Sequence, residues 1–187
     1  MSGGPQYQTA PPGDVVAFWR AAGPDLWFAE NPAFDTEIRA RFLWTYEVAA
    51  GGGQAVWEEA PESTLALLIV LDQFSRNIFR GLARSFATDP HARMVANGAL
   101  ARGFDQDVER LLRIFFYLPF EHAETMADQE RSLALFRAYG DPDHLKYAEE
   151  HADVIRQFGR FPWRNIALGR TSTPAEIKYL RDHGYPT

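Results

Sequence analysis

Two short polar segments of this chain repeat an unusual combination of residues. The first runs from Gln73 to Gly81 and the second from Arg160 to Arg170, and each has an aromatic residue, then Arg-Asn-Ile, then another Arg beside a Gly. A guanidinium offers donors in a fork and an Asn amide both donates and accepts, so the repeated pair predicts a fixed polar network. The network is either structural or holds a ligand, and the residue types leave both interpretations open. Its candidate ligand-binding residues are Asp72, Arg76, Asn77, Arg80, Arg160, Arg164, Asn165 and Arg170.

Acidic residues dominate a second polar segment, from Pro119 to Ser132. As one helix that continues to about Tyr139, this segment places Glu121, Glu124 and Asp128 on one face. Neighbouring carboxylates repel one another, so we expect the two Arg-Asn segments to supply their counter-charges. Hard metal cations also bind carboxylates, but neither His-Glu-x-x-His nor Glu-x-x-His spacing occurs in the chain. We therefore predict no metal site and no cofactor.

Two histidines add candidates for acid–base chemistry. His122 borders the apolar stripe of its predicted helix, whereas His151 lies on a helix whose apolar residues form two stripes. A lone histidine on such a stripe is more often a satisfied core residue than a catalyst, although either could exchange protons if it opens onto a cleft. For His151 we favour a structural role. For His122 a structural role and an acid–base role both remain open. The catalytic candidates are His122, Glu121, Glu124 and His151.

Composition limits the classes of function. The chain has 187 residues, 46% of them hydrophobic, which is enough for one domain with a full core. Its net charge of −6 argues against general nucleic-acid binding, and the absence of cysteine excludes disulfides and thiol chemistry. Residues 1–13 lack the basic start and apolar core of a signal peptide, and the longest apolar run, Leu65 to Leu71, is too short to span a bilayer. We expect a flexible arm over 1–13, one domain over 14–187, a cytoplasmic location and no membrane partner.

Helical signals recur along the whole chain. Signals for helix starts stand at Asn31-Pro32, Pro61, Asp89-Pro90, Pro119, Asp141-Pro142 and Thr173-Pro174, and glycines such as Gly51, Gly103, Gly140 and Gly159 follow as stops. The run from Leu65 to Leu71 is apolar all round, which predicts a central position in the core. No stretch alternates as a strand would. Short links between successive helices predict an all-α, antiparallel helical-hairpin array in a single domain.

Several longer motifs together resemble a known family. They are DVVAFW (Asp14 to Trp19), FDTEIRARF (Phe34 to Phe42), LALLIVLDQFSRNIFRG (Leu65 to Gly81), YLPFEHAETMADQERS (Tyr117 to Ser132), HADVIRQFGRFPWRN (His151 to Asn165) and LGRTSTPAE (Leu168 to Glu176). From Asp14 to the C-terminus the chain resembles the mainly bacterial family called domain of unknown function 924. The resemblance implies an all-α fold similar to tetratricopeptide-like arrays and brings no established reaction. In the family pattern the position of Trp163 is usually His and that of Ala123 is often Ser, and these departures argue mildly against catalysis.

Two functions remain as hypotheses. The first is a binding or scaffold module that presents a helical groove to a protein, a peptide or an anionic small molecule. The second is a metal-independent enzyme for a phosphate- or carboxylate-bearing substrate. In it, Arg76, Arg164 and Arg170 clamp the substrate, and His122 with Glu121 or Glu124 forms the acid–base pair that exchanges protons. The missing catalytic spacings favour the first. No feature of the sequence indicates an oligomeric state.

Overall fold

The computed structural model describes residues 8–184 of the chain. Most of the predicted N-terminal arm, residues 1–7, lies outside this range, as do residues 185–187. The first helix begins at Pro12, two residues before the expected start of the domain. Over residues 8–184 the backbone consists of helices and turns without any strand, which confirms the all-α prediction.

The described chain divides into two compact units. Unit 1 contains the residues up to Arg80 and then Arg84–Phe116, and unit 2 contains Gly81–Ala83 and the residues from Tyr117 onward. The helices of unit 1 are α1 (Pro12–Ala22), α2 (Pro24–Trp27), α3 (Pro32–Ala50), α4 (Pro61–Leu68), α5 (Ser75–Ile78) and α6 (Asp89–Ala101). The helices of unit 2 are α7 (Leu118–Glu121), α8 (Met126–Tyr139), α9 (Pro142–Phe158) and α10 (Pro174–His183). A π-helical turn, Ile69–Phe74, joins α4 to α5, and short 3₁₀ helices lie at Ala55–Glu59, Ala83–Phe86, Phe104–Asp107, Arg110–Phe116 and Pro162–Arg164.

Local capping explains where α3, the longest helix of unit 1, begins. The side chain of Asn31 accepts hydrogen bonds from the backbone N–H groups of Ala33 and Phe34 at 3.1 and 3.0 Å, and Pro32 takes the first helical position of α3. These bonds satisfy donors that the first turn leaves without partners, so the predicted start of α3 is confirmed. The helix ends at Ala50, before the predicted glycine stop.

The core of unit 1 surrounds the apolar run from Leu65 to Leu71. All seven residues of this run are at most 1% exposed, which confirms its predicted central position. Aromatic rings from four other places in the sequence pack into one cluster nearby: the ring of Trp19 lies 6.0 Å from that of Phe34, 5.5 Å from that of Phe74 and 5.7 Å from that of Phe115. Burial of each such side chain contributes about 1.5–3 kcal/mol, so this cluster fixes the frame that carries the polar residues.

Helices α8 and α9 of unit 2 form a hairpin across a two-residue link. Gly140 adopts a left-handed conformation (φ 77°) at the end of α8, which suits glycine because it has no Cβ. The side chain of Asp141 then caps α9 by accepting from the N–H groups of Asp143 and His144. Ala148 and Ala152 are buried and let the two helices approach closely. The prediction that a short link gives packed neighbours is confirmed for this pair.

The predicted single helix from Pro119 to Tyr139 is wrong. The chain leaves the helical conformation after Glu121 and starts a new helix at Met126. Thr125 is the residue that starts it, because its hydroxyl accepts a hydrogen bond from the N–H of Asp128 at 3.2 Å.

A buried glutamine stabilises this break. Gln129 has no exposed surface, and its Nε2 donates to the carbonyl oxygens of Glu121 and Ala123 at 2.7 and 2.8 Å. These carbonyls have lost the partners that a continuous helix would provide, so the amide takes the place of two backbone donors. We had expected Glu121, Glu124 and Asp128 on one helical face. Because of the break, Glu121 and Glu124 do not share a helical face with Asp128.

Candidate functional site

The first Arg-Asn segment places Arg76 between two buried carboxylates of unit 1. The Nη1 and Nη2 atoms of Arg76 lie 2.9 and 3.1 Å from the two carboxylate oxygens of Asp89, and Nη1 lies 3.3 Å from Oδ1 of Asp72. Asp72 is 2% exposed and Asp89 is 7% exposed. Burial acts to lower the pKa of Arg76, but the two carboxylates outweigh it and raise the pKa above its ordinary value. The guanidinium therefore stays charged and joins the end of the π-helical turn to the first turn of α6.

Two further residues of the same segment bind Asp35, in the first turn of α3. Arg80 donates from Nε to Oδ2 at 2.7 Å and from Nη2 to Oδ1 at 2.9 Å, while the amide of Asn77 donates to Oδ1 at 2.8 Å. The hydrogen bonds to Asp35 raise the pKa of Arg80 and outweigh its partial burial. This fork-to-fork pairing ties α5 to α3. We call Asp35, Asp72, Arg76, Asn77, Arg80 and Asp89 the unit 1 network.

The second Arg-Asn segment also places an arginine against a carboxylate. In unit 2, Arg170 binds Glu124. Nη1 and Nη2 of Arg170 lie 2.7 and 3.0 Å from the two oxygens of Glu124, and its Nε donates to Oδ1 of Asn165 at 2.9 Å. The backbone N–H of Phe161 also donates to Glu124, at 2.8 Å. Burial acts to raise the pKa of Glu124, but the bonds from Arg170 and Phe161 lower it below its usual value. Glu124 is thus an ionised carboxylate held by the turn that follows α9.

Arg160 binds Glu176, which is the first-turn acid of α10. Nε and Nη2 of Arg160 lie 2.6 and 2.9 Å from the two oxygens of Glu176, a residue that is only 2% exposed. The hydrogen bond from Arg160 is the main cause that lowers the pKa of Glu176 to about 2. Glu176 also accepts from the N–H of Thr173, whose hydroxyl accepts from the N–H of Glu176, and this capping box lies at the predicted helix start, Thr173-Pro174.

Arg164 completes this cluster inside unit 2. It is 6% exposed, its Nη2 donates to the backbone carbonyl of His122 at 3.0 Å, and its guanidinium lies 4.7 Å from the centre of the Phe161 ring. The bond reaches the backbone of His122, so it holds the turn between α7 and α8 in place. We call Glu124, Arg160, Arg164, Asn165, Arg170 and Glu176 the unit 2 network.

Two of the four catalytic candidates meet in unit 2. Nδ1 of His151 lies 3.5 Å from Oε1 of Glu121 and 2.9 Å from the carbonyl oxygen of Tyr147. The Glu121 side chain is 6% exposed and that of His151 is 22% exposed. The rings of Phe161 and Trp163 lie edge-on to the imidazole, at 5.5 and 5.9 Å. This is a buried carboxylate beside a partly accessible imidazole, in an aromatic setting.

One carboxylate of the acidic segment, that of Glu124, has the expected counter-charge. Glu124 is bound by Arg170 of the second Arg-Asn segment, as expected. The arginines of the first segment instead bind Asp35, Asp72 and Asp89, so the prediction that both segments serve the acidic face is wrong. Asp35 and Asp89 share a feature that a sequence shows, an acid in the first turn of a helix, where the helix dipole favours it. What the sequence does not show is which arginine each one binds.

Over the described residues, no group of three or more His, Asp and Glu side chains is arranged to hold a metal ion. Within residues 8–184, no helix combines the length and the apolar character needed to cross a membrane.

Comparisons with known proteins agree with this fold. The family described as "bacterial protein of unknown function (DUF924)" matches residues 15–184. A solved structure of a protein of unknown function from Agrobacterium tumefaciens is similar to the chain, with 48% sequence identity and a TM-score of 0.88, over 91% of this chain and 97% of that one. No curated protein matches the chain.

Proposed function

The chain belongs to the DUF924 family of bacterial proteins, and we propose that it is a binding or scaffold module whose partner is a protein or a peptide. One observation carries the proposal: the arginines of both Arg-Asn segments are bound to groups of their own unit. Arg76, Arg80, Arg160 and Arg170 each bind a carboxylate, and Arg164 donates to a backbone carbonyl. These arginines act as struts between helices.

An anionic ligand would have to break these ion pairs. At Arg76 it would displace Asp89 and leave a carboxylate that is 7% exposed without its bidentate partner. Loss of one partner from a buried pair costs about 3–5 kcal/mol, which an incoming anion would first have to offset. The geometry therefore favours recognition through the outer surfaces of the helices over an arginine clamp.

Phe28, on the surface of unit 1, has the properties of a docking anchor. Phe28 is 49% exposed, and its ring stacks on that of Phe115 at 6.5 Å and lies edge-on to that of Trp27 at 6.4 Å. Phe115 and Trp27 are buried, so they hold the exposed ring in one orientation. A ring that is already fixed loses little rotamer entropy on binding, and aromatic side chains are frequent energetic centres of interfaces. We therefore place the docking surface around Phe28.

Peptides selected from a random displayed library against the immobilised full chain provide the test. We expect a selected peptide to bind with saturable fluorescence anisotropy, and Phe28→Ser to weaken its affinity at least about tenfold because the variant loses the anchor. Tyr147→Ser is the matched control, since Tyr147 is an exposed aromatic residue of unit 2 (60% exposed). The proposal fails if no peptide binds saturably, or if both variants weaken binding equally.

A second function, a metal-independent enzyme, rests on a different observation. Glu121 lies beside Nδ1 of His151, and a buried carboxylate in this position can fix the tautomer and orientation of an imidazole that exchanges protons. In this hypothesis His151, for which the sequence favoured a structural role, takes the acid–base role that the sequence assigned to His122. Turnover of a phosphate or carboxylate ester that His151→Gln abolishes, without a change in melting temperature, would establish it.

A further inference from the structure

The C-terminal helix α10 is attached to unit 2 through few side chains. Of its ten residues, Pro174–His183, only Glu176 and Leu180 are buried. Tyr179 is partly buried and packs its ring edge-on against that of Phe158 at 5.3 Å. The neighbouring hairpin helix α9 buries four residues along its length, Ala148, Ala152, Val154 and Ile155. The apolar docking of α10 therefore depends on two side chains, those of Leu180 and of Tyr179, which also packs against the buried cluster of Val154, Ile155 and Phe161.

Most of the polar contacts that attach α10 involve one carboxylate, that of Glu176. Glu176 accepts two hydrogen bonds from Arg160, a longer one of 3.4 Å from the amide of Asn165, and one from the N–H of Thr173. The bond from Thr173 belongs to the capping box and starts the helix, whereas the bonds from Arg160 and Asn165 dock it. One residue thus both starts α10 and holds it in place.

The chain just before α10 provides a natural boundary for an opening. Arg170 is fixed by Glu124, by Asn165 and by the carbonyl oxygen of Phe161, so the segment that ends at Arg170 stays with the unit 2 network. Residues 171–173 connect it to α10, and their main bonds to the network are those of Thr171 O with Arg160 and of Ser172 Oγ with Asn165. Release of α10 breaks these bonds and leaves the Arg170 pair with Glu124 intact.

We infer that α10 is a latch: it undocks from unit 2 while α8 and α9 stay folded, and it uncovers Phe158 and Arg160. Helices shorter than about 12–15 residues are marginal in water on their own, so an undocked α10 also loses its helical hydrogen bonds. Undocking therefore exposes its backbone amides directly. The uncovered surface pairs the guanidinium of Arg160 with the ring of Phe158. This conformational property is independent of the proposed docking function at Phe28.

Hydrogen exchange of the full chain, followed by mass spectrometry at neutral pH, tests the latch. After correction for intrinsic rates, we expect amides of residues 176–183 to exchange at least about tenfold faster than those of residues 148–155 in α9, because local openings need less free energy than global unfolding. Glu176→Gln should accelerate amide exchange in α10 at least about tenfold further and leave amide exchange in α9 unchanged. Glutamine preserves the capping box, so the variant weakens docking rather than helix initiation.

Asp182→Asn is the matched control on the same helix. Asp182 pairs with Lys178 and Arg181 on the exposed side of α10, so its substitution should leave exchange of both helices as in the wild type. Equal exchange of α10 and α9 in the wild-type chain would overturn the inference, because the two helices would then open together. Equal acceleration of both by Glu176→Gln would overturn it as well.

Discussion

Replacement of Arg76 by alanine should lower the free energy of unfolding by about 3–5 kcal/mol. The substitution leaves two carboxylates without their shared cation, and both are nearly inaccessible, at 2% exposure for Asp72 and 7% for Asp89. Each carboxylate then loses its bond to a cation in a nearly inaccessible place, and this loss disturbs the core around the π-helical turn. Urea denaturation followed by circular dichroism measures the loss.

Arg20→Ala is the matched control for this effect. Arg20 forms an ion pair with Glu109 at 3.0 Å, but the two side chains are 48% and 50% exposed. Solvent screens such a pair, so its loss should cost only about 0–1 kcal/mol. A change near zero for Arg76→Ala would contradict the structural role of the guanidinium and return Arg76 to the candidates for ligand binding.

Replacement of Gln129 by methionine should lower the free energy of unfolding by about 2–4 kcal/mol, because each buried polar group left without a partner costs about 1–3 kcal/mol. Methionine keeps the length and shape of the side chain but cannot donate to the carbonyl oxygens of Glu121 and Ala123. Both carbonyls lie where the helical hydrogen bonds are interrupted. Thermal and urea denaturation of the variant provide the measurement.

Glu130→Met introduces the same side chain at the next position of α8, which is exposed. It should change stability by no more than about 0.5 kcal/mol. If the two variants prove equally stable, Gln129 does not support the break, and the turn from His122 to Thr125 must be held by other contacts.

The helix boundaries could be predicted because their signals are local. Asn31-Pro32, Asp141-Pro142 and Thr173-Pro174 each start a helix, since the capping side chain and the proline act within one turn of it. The break before Met126 had a signal of the same kind, the spacing of Thr125 and Asp128. The apolar periodicity continues across that spacing, and it was the periodicity that predicted one helix from Pro119 to Tyr139.

The organisation of the polar residues could not be predicted in the same way. The repeated Arg-Asn segments indicated a network, but the partners Asp35 and Asp89 are separated from Arg80 and Arg76 by 45 and 13 residues. Glu176 is part of a local capping box, whereas its pairing with Arg160 depends on where α10 packs. Pairing of this kind is a property of the tertiary fold, and no local rule assigns one arginine to one carboxylate.

The central claim is that the Arg-Asn segments are internal struts and not an anion-binding site. The most direct test is the melting temperature of the full chain in increasing phosphate, and separately in increasing citrate, at constant ionic strength. A ligand that binds the native state raises the melting temperature along a saturating curve, so we predict no saturating rise up to about 10 mM of either anion. A saturating rise that disappears in Arg170→Lys would contradict the account, because it would show that an anion reaches a guanidinium assigned here to Glu124.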